Sequence, residues 1–105
     1  MSSCIFCQII NKEQSAELVY EDEKVIAIKD INPKAPIHLL IIPKKHIPSI
    51  KEIEEQDKEL MGCLVFAAKK IAKDKNLPGY KLIFNVGREG GQIIDHIHLH
   101  LLANK

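Results

Sequence analysis

A chain of 105 residues, 46% of them hydrophobic, with no Trp, three Phe and two Tyr, is sized for one domain spanning 1–105 around an aliphatic core. Fifteen basic against fourteen acidic residues leave a formal charge of +1; with no basic run longer than Lys44-Lys45 or Lys69-Lys70, long nucleic acid is disfavoured as a partner. No stretch approaches the ~20 apolar residues of a membrane span, Met1-Ser2-Ser3 opens no leader with an apolar segment behind it, and three cysteines make no secreted disulfide framework, so the expectation is a cytoplasmic protein without a membrane partner.

Cys4-Ile5-Phe6-Cys7-Gln8-Ile9-Ile10 has apolar spacings that suit a short N-terminal helix packing inward. Leu18-Val19-Tyr20 and Val25-Ile26-Ala27-Ile28, joined by the polar Glu21–Lys24, predict a hairpin. Asn32-Pro33-Lys34-Ala35-Pro36 is a rigid loop, because each proline fixes φ and removes a donor. Ile37-His38-Leu39-Leu40-Ile41-Ile42, closed by Pro43, is a near-continuous aliphatic run and predicts a central strand buried on both faces. Ser49 with Glu52 is a candidate capping box. Beyond it Ile53, Leu60, Leu64, Ala67, Ala68 and Ile71 recur at helical spacing, which predicts one amphipathic helix from Glu54 to Lys75, with Glu55, Lys58, Lys69 and Lys73 outward. Asn76-Leu77-Pro78-Gly79 ends that helix, and Tyr80–Val86 alternates as a fourth strand. Gly87–Gln92 is a flexible loop whose glycine pair, Gly90-Gly91, lets a ligand approach the backbone; no Lys-Ser/Thr follows, so it is not a Walker loop. The sum is an α+β domain with a mostly antiparallel five-stranded sheet, one long helix and a short N-terminal helix.

The fifth strand carries the chemistry. In His96-Ile97-His98-Leu99-His100-Leu101-Leu102 the histidines alternate with aliphatic residues, placing all three imidazoles on one face and Ile97, Leu99 and Leu101 on the other. At ~3.3 Å per residue His96 and His100 are about 13 Å apart, too far for one metal ion to take all three. They therefore have separate tasks. Imidazole is a competent nucleophile toward phosphorus near neutral pH, and a second imidazole two residues away can supply the leaving group's proton. A phosphate held at Gly90-Gly91 would lie beside them. Cys4-x-x-Cys7 offers half of a tetrahedral zinc site or two reduced thiols; a thioredoxin-like role is disfavoured because no strand precedes it. Cys63 belongs to the helix core.

His96-Ile97-His98-Leu99-His100-Leu101-Leu102 resembles the His-x-His-x-His-x-x motif of the histidine-triad (HIT) family. Cys-Ile-Phe-Cys at the start, Asp30-Ile31-Asn32-Pro33, Ile42-Pro43-Lys44-Lys45-His46, and Asn85 followed by Gly90-Gly91-Gln92 extend the match from Cys4 to Leu102. The likeness is greatest to the Hint, or protein-kinase-C-interacting-protein-like, branch. It implies a HIT-like fold and a nucleotide-binding hydrolase that cleaves nucleoside phosphoramidates or acyl/aminoacyl adenylates to a nucleoside monophosphate through a nucleotidyl-histidine. By the resemblance His98 is the nucleophile, with His100, His38 and His96 as the other catalytic histidines; His100 also contacts the phosphate and His38 joins the proton relay. Asn85, Gly91 and Gln92 line the phosphate region, Asp30 accepts from the ribose hydroxyls, and Ile5, Phe6, Ile9, Ile28 and Ile31 form the purine slot. Cys4, Cys7, His46 and His96 are the ligands of a structural zinc in the zinc-carrying members. The family also implies an AMP-like purine nucleotide as substrate and a homodimer.

Three departures stand against the family pattern. Ile93 replaces a common Ser, Asp95 puts a charge directly before the triad, and Ala103-Asn104-Lys105 stands where relatives continue with glycines and a tail. These keep two alternatives open: a dinucleoside polyphosphate hydrolase, and a zinc-stabilised nucleotide-binding or scaffold module with vestigial catalysis.

Overall fold

The structure, a computed structural model, describes residues 3–104. In chain order its elements are α1 (Ile5–Ile10), β1 (Leu18–Glu21), β2 (Val25–Lys29), β3 (Ile37–Pro43), α2 (Lys58–Asp74), β4 (Lys81–Phe84) and β5 (Leu99–Ala103). The strands form one five-stranded sheet in the order β1-β2-β3-β5-β4, antiparallel at every pairing. Asp22 closes the β1–β2 hairpin, its carboxylate accepting from the Lys24 and Val25 amides at 2.8 and 2.9 Å. The central position predicted for Ile37–Ile42 is that of β3, buried along all but its first residue.

Strand alternation splits the aliphatic residues between two cores. Val25, Ala27, Leu39, Ile41, Leu99 and Leu101 meet Leu64, Ala67, Ala68 and Ile71 of α2 on one face. On the other, Ile26, Ile28, Leu40 and Ile42 pack against Phe6 of α1. Each such side chain taken out of water contributes about 1.5–3 kcal/mol, so the face bearing α1 has a foundation of its own. The histidines rise from that face.

Two sequence expectations are revised. The long helix starts later than Glu54: Ser49 Oγ accepts from the Lys51 amide at 3.3 Å and caps only a single tight turn, Ile50–Glu52. The Ser49–Glu52 capping box is therefore not the helix start. Ile53 is extended, and a second tight turn, Glu55–Asp57, leads into α2, with the Glu54 amide donating to Asp57 Oδ2 at 2.9 Å. At the other end Asn76 adopts a left-handed φ of 56° and the Leu77 amide reaches back to the Ala72 carbonyl at 3.0 Å, a closure that asparagine tolerates better than most residues.

The second revision concerns the histidine strand, which ladders only from Leu99. The last β3 partner is Ile41, opposite Leu99; beyond it the Ile97 amide donates instead to the Ile47 carbonyl at 2.8 Å. The face alternation survives the loss of pairing. Ile97 is buried with the α2-side core, while Phe6 of the opposite layer meets the rings of His96 and His98. No helix among the described residues is long and apolar enough to cross a membrane.

Candidate active site and metal centre

A cavity of about 470 Å³ opens on the α1 side of the sheet. Every nucleotide-binding residue anticipated from the sequence, apart from Gln92, lines it (Ile5, Phe6, Ile9, Ile28, Asp30, Ile31, Asn85, Gly91, His98 and His100), and so does His38, anticipated as a relay residue. His38 and His100 come together because β3 and β5 pair Leu40 with His100, which sets His38 diagonally across the ladder.

Hydrogen bonding assigns the tautomers. His98 Nδ1 lies 2.7 Å from the His96 carbonyl; a carbonyl only accepts, so Nδ1 carries the proton and Nε2 keeps its lone pair. The Lys34 amide donates to His38 Nδ1 at 3.0 Å, which places the His38 proton on Nε2. That proton is shared between His100 Nδ1 at 2.9 Å and Asp30 Oδ2 at 3.4 Å. His100 Nδ1 then accepts, and its own proton resides on Nε2, 3.4 Å from the Asn85 side-chain amide nitrogen. Turning that amide over would offer its oxygen as the acceptor.

The imidazoles are held neutral. Burial lowers the pKa of His98, against the opposing effects of the His96 carbonyl and Asp30. Burial first, then the neighbouring His98 and His38, brings His100 to about 4. At neutral pH the site thus presents a bare nitrogen on His98 for nucleophilic attack and an N–H on His100 that can donate a hydrogen bond to an anion.

His96 faces elsewhere. Its Nδ1 lies 3.3 Å from Cys4 Sγ, 3.7 Å from Cys7 Sγ and 3.0 Å from His46 Nδ1, and Cys7 Sγ is 3.3 Å from His46 Nδ1. These separations match the edges of a zinc tetrahedron, about 3.3 Å for N–N and 3.5 Å for N–S when Zn–N is ~2.0 Å and Zn–S ~2.3 Å. The tautomer fits as well: His96 Nε2 donates to the Pro43 carbonyl at 2.8 Å, so Nδ1 aims a lone pair into the cluster. Burial lowers the His96 pKa to about 4, which keeps that lone pair free. Cys4, Cys7, His46 and His96 therefore suit a tetrahedral metal. Asp30, His38 and His100 also converge within 4.8 Å, but their contact is a hydrogen-bonded chain.

Gln92 has a different position from the one expected. It is buried, its Nε2 donating to the Pro48 and Ile94 carbonyls at 2.6 and 2.9 Å while its Oε1 accepts from the Gly87 amide at 2.9 Å. All of its side-chain polar capacity but one lone pair goes into stapling the loop. Asp95 neither enters the site nor perturbs His96: exposed, it receives Arg88 in a two-pronged ion pair at 2.8 and 2.9 Å, and Arg88 also donates to the Gln92 carbonyl at 2.7 Å. Sequence reasoning missed the Pro43 carbonyl that orients His96, and Lys29 and Lys34 at the cavity. A carbonyl leaves no trace in residue identity, but a lysine in a two-proline loop just before a histidine strand was a usable signal.

These features define a class: a small α+β domain with a histidine-lined cavity on one sheet face and a Cys₂His₂ cluster beside it. A family model described as "Scavenger mRNA decapping enzyme C-term binding" matches residues 3–105. The chain is 43% identical over 104 residues to Protein HitA of Neisseria gonorrhoeae, covering 98% of this chain and 97% of that one. It is 46% identical over 107 residues to a 14 kDa zinc-binding protein of Zea mays, covering 99% and 84%. A crystal structure of a HIT family hydrolase from Legionella pneumophila superposes with a TM-score of 0.95 at 48% identity, covering 98% of this chain and 94% of that one. The chain belongs to the histidine-triad family.

Proposed function

We propose that the protein is a nucleotide-binding hydrolase that cleaves nucleoside phosphoramidates or acyl/aminoacyl adenylates to a nucleoside monophosphate. The observation that carries this reading is the 2.7 Å contact of His98 Nδ1 with the His96 carbonyl, which leaves Nε2 as a lone-pair nucleophile in a histidine-lined cavity. His98 Nε2 attacks the α-phosphorus; the N–P bond forms as the bond to the leaving group breaks, an amine departs with a proton taken from solvent water and an acid departs as its carboxylate, while the His100 Nε2 N–H donates a hydrogen bond to the transferred phosphate. Water then attacks the nucleotidyl-histidine, losing its proton to solvent as the N–P bond breaks and restoring His98. His38 Nε2, 2.9 Å from His100 Nδ1, holds the relay's tautomer. The purine rests on Ile5, Ile9, Ile28 and Ile31, and Asp30 faces the ribose.

Cys4, Cys7, His46 and His96 would hold a zinc ion that supplies no reactive group and ties α1 to the segment before β5. A homodimer fits the exposed apolar side chains of Val65 and Phe66 on α2 and of Leu82 on the edge strand β4, the one of its two exposed aliphatics that stands on the α2 side of the sheet. The test is AMP release from adenosine phosphoramidate by the native protein and by His98→Ala, with AMP binding measured in parallel. Turnover that vanishes in the variant while AMP still binds supports the reading. Native protein that binds AMP yet leaves phosphoramidate and adenylate intact sinks it.

A further inference from the structure

A nucleotide brings at least one negative charge into the cavity, so the charges already there decide what neutralises it. His38 Nδ1 accepts the Lys34 amide proton and His100 Nδ1 accepts that of His38 Nε2, so each of these two rings carries a single proton and no charge. Asp30 is an acid that repels phosphate. Of the two lysines lining the cavity, Lys29 is committed to Glu17 at 2.8 Å. Lys34 has no acidic partner within ion-pair distance among the described residues.

Its placement is also built in. Lys34 lies between Pro33 and Pro36, each of which fixes φ, and its backbone N–H bonds His38 at 3.0 Å. The main chain carrying the ammonium is thus tied to the relay, and the positive charge is one of those that disfavour protonated His100. An uncompensated cation on an exposed lysine beside neutral imidazoles attracts an anion without first having to break an ion pair.

We propose that Lys34 is the phosphate-recognising cation of this cavity, selecting nucleotides over nucleosides by pairing its ammonium with the 5′-phosphate. The inference rests on the nucleotide reading above but not on hydrolysis. It is tested by calorimetric binding of AMP and adenosine to the full-length native protein, Lys34→Gln and Lys34→Arg, at low and high salt. Gln keeps the backbone N–H that holds His38, and adenosine affinity reports whether the cavity is intact. The expected result is an AMP-to-adenosine preference about tenfold smaller in Lys34→Gln, a flatter salt dependence of AMP binding, and a preference restored by Arg. An unchanged preference in Lys34→Gln overturns the proposal, as does native protein that binds neither ligand. A preference that falls as expected in a protein without turnover supports Lys34 and sinks the hydrolase reading alone.

Discussion

Replacing Gln92 by Met keeps the side chain's length and removes its polar atoms, so it separates a structural role from contact with nucleotide. Three hydrogen bonds are lost, to the Gly87 amide and the Pro48 and Ile94 carbonyls. At about 1 kcal/mol each, the loss is ~3 kcal/mol, a large share of the 5–15 kcal/mol typical of a domain. A domain of this size loses about 5 °C of Tm per kcal/mol, so thermal unfolding followed by circular dichroism should fall by about 15 °C. AMP affinity, measured well below that transition, should stay within about threefold, because the side chain points into the loop rather than the cavity. Gln92→Glu should be at least as damaging, since a carboxylate there faces two carbonyl oxygens. A Tm within ~3 °C of native together with AMP binding weakened tenfold or more would refute the reasoning and return Gln92 to the ligand.

Three further outcomes follow from the same geometry. Native protein dialysed against zinc should retain one equivalent per chain by elemental analysis and Cys7→Ser far less; at free zinc ~100 times its Kd the native protein should gain about 2.7 kcal/mol, and retention of no zinc would rule out the tetrahedral site. His100 titrates at about 4 in the fold against 6.5 unfolded, so the unfolded chain takes the proton first: its contribution is full above about pH 6.5 and is lost as pH falls towards 4, by at most ~3 kcal/mol. Urea midpoints of His100→Asn should therefore depend less on pH over that window than those of native protein, and identical profiles would show that the imidazole is not held neutral. The native chain should run as a dimer by light scattering and Phe66→Glu with Leu82→Lys as a monomer; a monomeric native chain would remove these apolar side chains from consideration.

Much of this protein is written locally. Two-residue alternation in His96–Leu102 put histidines on one face and aliphatics on the other, and that held even where the ladder stops at Leu99, because extended backbone alternates whether or not it is paired. Cys4-x-x-Cys7 likewise offered either half of a zinc site or two reduced thiols, since short spacing brings two thiols together on one turn. What residue identity could not determine is which partner each polar group meets across the fold. Gln92 reads as a ligand-binding amide beside a glycine pair, yet the Pro48 and Ile94 carbonyls bury it. The alternation puts His96 on the same face as His98 and His100; it is the Pro43 carbonyl that takes its Nε2 and turns Nδ1 to the cysteines. Periodicity sets the side of the sheet on which a side chain stands; the atoms that satisfy its hydrogen bonds come from distant segments, and tertiary packing alone brings those within 3 Å.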